Sequence, residues 1–290
     1  ALTKLLNLLS TVRRLKRLVH ELGPDLVYVS SPMNSLEVFL SGFDLDRAIV
    51  SEHSSFGAHN LIFKEVIKRV YPKYRYFLVP TTCDSRLYES MGMLPFHLPN
   101  PIAFPFGGFE VSDKKTVLNI GRFCSDKRQL KLLRIWSLAN CKDNGWVLKI
   151  IGKGELENDL VDFIGDNNLS PSVSLMKPTS HIIEEYRSAS VFCLTSIMEG
   201  FGLVLVEAMA NSTPCISFDV PSGPADIIDD NISGFLIADD DIDGYVQKLE
   251  ALCHDDQLRH DFSRRAHLKS KSFSDESVYE AFRSIFQAAP

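Results

Sequence analysis

Two carboxylates, Glu199 and Glu207, stand eight positions apart in the segment SIMEGFGLVLVEAMA (196–210). An apolar run of strand type ends just before them at Thr195–Ser196. The residues between begin with Gly200, Phe201, Gly202 and Leu203, and a helical pattern opens at Leu203. Glycine lets a backbone approach a ligand closely, and the free N–H groups of a first helical turn carry the positive end of the helix dipole. The spacing therefore predicts a phosphate or diphosphate site at the C-terminal edge of a parallel sheet. There Glu199 could meet the hydroxyls of a sugar and Glu207 those of a ribose. The plainer alternative is a tight strand–helix turn with Glu207 in solvent.

Two further strand ends carry matching chemistry. GRFCSDKRQ (121–129) supplies Arg122 and Lys127, cations able to neutralise a diphosphate and to stabilise its charge as it departs. IGKGELE (151–157) supplies a second glycine-rich turn at Gly152 and Gly154. Taken singly, such residues are more often surface charges and ordinary turns. Taken in sheet order, the three segments suit one nucleotide diphosphate.

The elements that must position these residues read as strand and helix in alternation. Short runs rich in Val, Ile and Leu lie at 25–30, 48–52, 76–80, 116–121, 146–152, 172–176, 190–196, 213–218 and 234–238. They are bounded by Gly, Pro, Asp or Asn, as parallel strands covered on both faces are. Amphipathic stretches such as 127–140 and 155–168 lie between them, which predicts a doubly wound α/β fold. The linker-like stretch 99–115 combines proline, glycine and then charge. The domains expected are 1–108, 109–272 and a C-terminal helix within 273–290, whose return to the first domain is left open. That helix carries Phe273, Val278, Phe282 and Phe286 along one face.

Composition removes other classes. A net charge of −6 and a sequence pI near 5.8 do not suit a nucleic-acid binder, which needs a broad basic face. No apolar run is long enough to span a bilayer. The six cysteines are scattered without a CxxC pair, as in a protein of the reducing cytoplasm. The eight histidines show no metal-ligand spacing, so no metal and no cofactor are expected. Asp239–Asp240–Asp241 has the look of a DxD metal motif but opens a helix, where acidic residues favour the dipole. The first helix sets Leu5, Leu8, Val12, Leu15, Val19 and Leu22 opposite Arg13, Arg14, Lys16 and Arg17. An ordinary domain helix is the favoured reading; contact with an anionic membrane surface is the alternative.

From about Pro99 to Gln287 the sequence resembles glycosyltransferase family 4, retaining enzymes of the GT-B fold. Glu199 and Glu207 match that family's E-x7-E motif within EGFGL and EAMA. Arg122 and Lys127 match its strand-end arginine and lysine, and Gly152–Gly154 its glycine-rich turn. PSGPADII with NISGFLI (221–237) is similar to members that build bacterial surface polysaccharide and lipopolysaccharide, commonly from UDP-sugars. The resemblance implies two Rossmann-like doubly wound domains facing a cleft. It implies Arg122 and Lys127 on the diphosphate, Glu207 on the nucleotide ribose, and Glu199 with the Gly200–Leu203 backbone on the donor sugar and its phosphate. SEHSSF (51–56) resembles the family's strand-end histidine element, which implies His53 beside the donor sugar. HLPNPI (97–102) resembles the entrance to its interdomain linker. The family also has a first strand and glycine-rich loop ahead of the counterpart of Asp25–Ser30. About 70 or more residues of a doubly wound half are thus expected to be missing, leaving the N-terminal domain truncated.

The function expected is transfer of a hexose or N-acetylhexosamine from a nucleotide-diphosphate sugar to a glycan or lipid-linked acceptor. Configuration would be retained, without metal, in the cytoplasm or on the inner face of its membrane. An epimerase or phosphorylase of the same fold, or a non-catalytic nucleotide-sugar-binding partner subunit, are the alternatives. The intact set Arg122, Lys127, Glu199 and Glu207 disfavours the last.

Overall fold

The computed structural model describes residues 2–102, 104 and 106–288, with side chains from Asn7 to Gln287 apart from positions 103 and 105. Of the expected features, the Leu5 side chain, two linker positions (Ala103 and Pro105) and the ends Ala1, Ala289 and Pro290 lie outside this range. The chain forms two compact units. One comprises 1–99 with 282–290, the other 100–281.

The first unit holds a parallel sheet of β1 (Val27–Val29), β2 (Ala48–Ser51), β3 (Tyr76–Val79) and β4 (Phe96–His97), in that spatial order. Its helices are α1 (Leu2–Leu22), α2 (Pro32–Ser41), α3 (Leu61–Val70) and α4 (Thr82–Ser90). Local signals set their starts: Ser31, Asn60 and Thr81 each accept a backbone N–H of the first turn of α2, α3 and α4. Residues of the strands alternate between two cores, as a period of two requires. Ala48, Val50, Phe77 and Val79 face a cluster with Val38, Ile67 and Tyr88. Ile49, Tyr76 and Leu78 face Phe282, Ile285 and Phe286 from the end of the chain. The apolar stripe of α1 is turned inward in part: Leu8, Val12, Leu15 and Val19 are half-buried, while Leu22 is exposed.

The second unit holds β5 (Thr116–Ile120), β6 (Val147–Ile151), β7 (Val173–Met176), β8 (Val191–Leu194), β9 (Cys215–Asp219) and β10 (Gly234–Ala238). All pairings are parallel, in the order β10-β9-β8-β5-β6-β7. The helices are α5 (Gln129–Leu138), α6 (Glu157–Asp166), α7 (Ile182–Ser188), α8 (Leu203–Ala210), α9 (Pro224–Ile227), α10 (Ile242–His254), α11 (Asp256–Ser270) and the first part of α12 (Asp275–Ala288). Val117, Leu148, Ile150, Val191, Cys193 and Ile216 point into one core. Leu118, Ile151, Phe192, Leu194 and Cys215 point into the other.

Two details differ from the sequence reading. The boundary expected at 108 falls at 99/100, because the Ile102 amide donates to Phe273 O at 2.9 Å and its side chain joins the second unit's core. Strand β4 has only two residues in a proline-rich stretch and carries no periodic signal. The return of the C-terminal helix, left open by the sequence, is made: the helix begins in the second unit, and its Phe282–Phe286 end covers one face of the first unit's sheet.

Candidate functional site

The sheet order of the second unit creates a switch point. From β5 the chain builds outward through β6 and β7, then returns to place β8 on the other flank of β5. Loops leaving the C-terminal ends of β5 and β8 therefore diverge to opposite sides, which is where open α/β sheets bind ligands. These loops are the GRFCSDK and SIMEGFG segments.

The two loops are laced together. The Ile197 amide donates to Asp126 O at 2.8 Å, and the Thr195 hydroxyl donates to Lys127 O at 3.1 Å and Arg128 O at 3.2 Å. The Lys127 ammonium lies 2.6 Å from Glu199 Oε1. This geometry corrects the helix expected from 127. Ser125–Lys127 form a 3-10 turn, Arg128 has φ 51°, and α5 starts only at Gln129. The break frees Lys127 from the helix so that it reaches Glu199, a carboxylate only 9% exposed.

Helix α8 starts with Gly202 at φ 97°, a left-handed conformation that disfavours any side chain. The Leu205 amide donates to Gly202 O at 2.8 Å, but no side chain among the described residues caps this helix, so the amides ahead of Leu205 remain available to an anion. The loop is held from behind. A Cβ on Gly223 would lie 2.0 Å from Phe201 O, and Phe201 packs edge-on to Phe273 with centroids 5.6 Å apart. The PSGPADII segment thus props the Gly200–Gly202 loop.

Beside the switch point lies a cavity of about 400 Å³. Arg122 borders it from the β5 loop, Gly152 and Lys153 from the β6 loop, Thr179 and Ile182 from the entry to α7, and Glu207 from α8. Arg122 is exposed, and its guanidinium has no hydrogen-bond or ion-pair partner among the described residues. Arg122, Gly152 and Glu207 line this cavity, whereas Lys127 and Gly154 do not.

The glycines of the β6 loop have a structural reason. A Cβ on Gly152 would sit 2.0 Å from Gly121 O, and one on Gly154 would sit 2.3 Å from Phe123 O. Both contacts are forbidden, so the GxG turn lets the β5 and β6 loops touch.

Glu207 is half-buried and accepts a 2.6 Å hydrogen bond from the phenol of Tyr186 on α7. Burial raises the Glu207 carboxyl above its ordinary range, and the tyrosine hydrogen bond opposes the rise. Tyr186 is pushed well above its usual value, by its own burial first and then by the nearby carboxylate.

The acidic triplet before α10 is used structurally. Asp239 pairs with Arg128 at 2.6 Å, Asp240 with Lys131, and Asp241 accepts the Gly244 amide at 2.9 Å. Among the described residues no group of three or more His, Cys, Asp or Glu could hold a metal ion.

In the first unit, His53 is exposed just past the end of β2, with Nε2 3.3 Å from the Tyr28 hydroxyl. Its turn is built on the buried Glu52. The amides of His53 and Ser54 both donate to Glu52 Oε1 at 3.1 Å. Tyr71 donates to Oε2 at 3.0 Å, and His59 Nε2 lies 3.2 Å from the same oxygen. Sequence reasoning names His53 but not Glu52, Tyr71 or Tyr186. A charged residue ending an otherwise apolar strand is the signal for Glu52. Tyr186 sits in IIEEYRS, a plain amphipathic pattern without one.

The sequence model of the family described as glycosyl transferases group 1 matches residues 104–269. Over 290 residues the chain is 28% identical to an uncharacterized glycosyltransferase of Haemophilus influenzae, covering 95% of this chain and 80% of that one. It is 32% identical over 199 residues to the amylovoran biosynthesis glycosyltransferase AmsD of Erwinia amylovora, covering 69% and 55%. Among solved structures, Staphylococcus aureus TarM aligns with TM-score 0.82 at 24% identity, covering 97% of this chain and 58% of that one. The lipopolysaccharide outer core galactosyltransferase WaaB aligns with TM-score 0.81 at 20% identity, covering 99% and 82%. The chain thus spans most of the Haemophilus protein and of WaaB, but little more than half of AmsD and TarM. At these identities the structural likeness carries the fold: two Rossmann-like α/β units of the GT-B architecture.

Proposed function

The chain belongs to the glycosyl transferases group 1 family, and we propose that it is a retaining enzyme of family 4 within that group. Its donor would be a nucleotide-diphosphate sugar, with UDP as the carrier. The group transferred would be a hexose or N-acetylhexosamine, and the acceptor a hydroxyl of a glycan or lipid-linked saccharide. Similarity to AmsD, named for amylovoran biosynthesis, and to WaaB, named for the lipopolysaccharide outer core, supports bacterial surface polysaccharide as the product class.

The observation that carries this reading is the lacing of the β5 and β8 loops at the switch point, with Arg122 unpartnered and α8 without a side-chain cap, among the described residues, on its two sides. In the proposed reaction the diphosphate leaves the anomeric carbon through an oxocarbenium-like transition state. Charge develops on the leaving oxygen. Arg122, Lys127 and the amides of Gly200–Leu203 stabilise that charge, so neither a metal nor a strong protein nucleophile is needed. Glu199 holds the donor sugar's hydroxyls, and Glu207 receives the ribose. His53 is assigned to the donor sugar by the family likeness of Ser51–Phe56. The exposed Arg13, Arg14, Lys16 and Arg17 of α1 suit the anionic inner face of the cytoplasmic membrane, where a lipid-linked acceptor would be met. Sedimentation with anionic vesicles checks that contact, and indifference to vesicle charge would refute it.

Calorimetry with UDP and GDP, each with and without chelator, tests the donor site. Tight binding of UDP that survives chelation is expected. A strict requirement for a divalent cation would overturn the metal-free account.

A further inference from the structure

We infer that Tyr186 is the positioning residue for Glu207: its phenol fixes the carboxylate so that the nucleotide's ribose, rather than its diphosphate, is received there. The inference rests on the donor-site reading given above. It starts from what a carboxylate in this cavity can bind. An anion such as diphosphate is repelled by Glu207, whereas a sugar diol offers two neutral O–H donors to it. Arg122 and Lys153 border the same cavity and are the charges suited to phosphate. Glu207 is therefore the hydroxyl end of the site and the cations its anionic end.

A carboxylate on a flexible side chain receives a diol well only if its plane is held. Tyr186 is fully buried, and its hydroxyl bonds only Glu207 Oε2, at 2.6 Å, among the described residues. Oε1 has no partner among them. The tyrosine ring is itself immobilised, with Phe192 at 5.9 Å and Phe104 at 6.3 Å between centroids. Its backbone carbonyl accepts the Thr213 hydroxyl at 3.0 Å, tying α7 to the turn after α8. The Glu207 carbonyl is held in turn by the Asn211 side-chain amide at 2.9 Å. Both ends of the Tyr186–Glu207 bond are thus anchored to fixed backbone.

The hydrogen bond also favours the ionised carboxylate, against burial. The charged or titratable groups around it are Tyr186 on α7, with Arg122 and Lys153 across the cavity. Removing the phenol should raise the pH below which nucleotide binding is lost.

The test uses Tyr186→Phe and Glu207→Ala in the full chain, titrated calorimetrically with UDP, 2′-deoxy-UDP and pyrophosphate. Tyr186→Phe should weaken UDP about tenfold, as loss of a hydrogen bond to a charged group does, and pyrophosphate less than about twofold. It should also shift the pH profile of UDP binding upward. Glu207→Ala should abolish the preference for UDP over 2′-deoxy-UDP. If Glu207→Ala leaves that preference intact, the ribose assignment fails, and the inference with it. If Glu207→Ala behaves as expected but Tyr186→Phe binds UDP normally, the positioning role alone fails. Equal losses on all ligands would make Tyr186 a packing residue and overturn the inference.

Discussion

Glu52 and Glu199 both follow a parallel strand and both are buried, at 2% and 9% exposure, yet their partners differ in kind. Both oxygens of Glu52 are taken by parts of its own scaffold, the amides of His53 and Ser54 and the buried Tyr71 phenol, with the His59 ring 3.2 Å away. Among the described residues Glu199 is met by one group, the ammonium of Lys127, whose side chain is 23% exposed. A carboxylate saturated by fixed donors is committed to shape. One held by a single movable cation can exchange that cation for a ligand's hydroxyls, and the released cation can turn to a phosphate. On the proposed reading, the difference separates a structural carboxylate from a functional one without reference to position in the chain.

The largest effect that would sharpen this contrast lies in turnover. Glu199→Gln keeps the shape and removes the charge. We expect kcat to fall about a thousandfold, as when a charge-stabilising group is lost from an active site, with UDP affinity changed only slightly. Steady-state kinetics alongside calorimetry separates the two. A normal kcat would return Glu199 to the scaffold.

The second effect is on stability. Glu52→Ala removes the acceptor of two part-buried amides and leaves the buried Tyr71 hydroxyl without its partner, and should cost about 3 kcal/mol in a denaturant titration. UDP affinity should be unchanged, because the residues lining the proposed donor cavity all belong to the second unit. A cost below about 1 kcal/mol would mean that water replaces the carboxylate easily and that the turn is not built on it.

The same residues mark how far the amino-acid sequence by itself reveals the site. Arg122, Lys127, Gly152, Glu199, Gly202 and Glu207 lie in contiguous strand-end motifs, and the alternation of strand and helix dictates that such ends gather on one edge of a sheet. Contacts made across long sequence distances leave no local trace. Tyr186 meets Glu207 across 21 positions, and Arg128 meets Asp239 across 111. The reason for Gly154 is likewise hidden: spacing suggests a ligand, whereas the constraint is the backbone of Phe123. Strand β4 escapes notice because two residues cannot display a period.

The smallest effect concerns the cost of keeping Glu207 ready. Its carboxyl is raised in the folded protein, burial being the cause and Tyr186 a partial relief. The sign follows from proton counting. As pH rises past the ordinary carboxyl value, the unfolded chain releases this proton while the folded chain still holds it, so folding becomes less favourable. The penalty is complete once pH exceeds the raised value, and it vanishes in acid below the unfolded one. Glu207→Gln keeps an acceptor for the Tyr186 phenol and removes the charge. It should therefore raise Tm by about 1–3 °C at neutral pH and by nothing in acid, where the wild-type carboxyl is already protonated. Thermal melts of both proteins across that range give the comparison directly. For Glu199→Gln no such gain is expected, since the change strips Lys127 of its partner. If both substitutions stabilised the protein equally at neutral pH, the two carboxylates would be alike in their burial cost, and Lys127 would contribute nothing to holding Glu199.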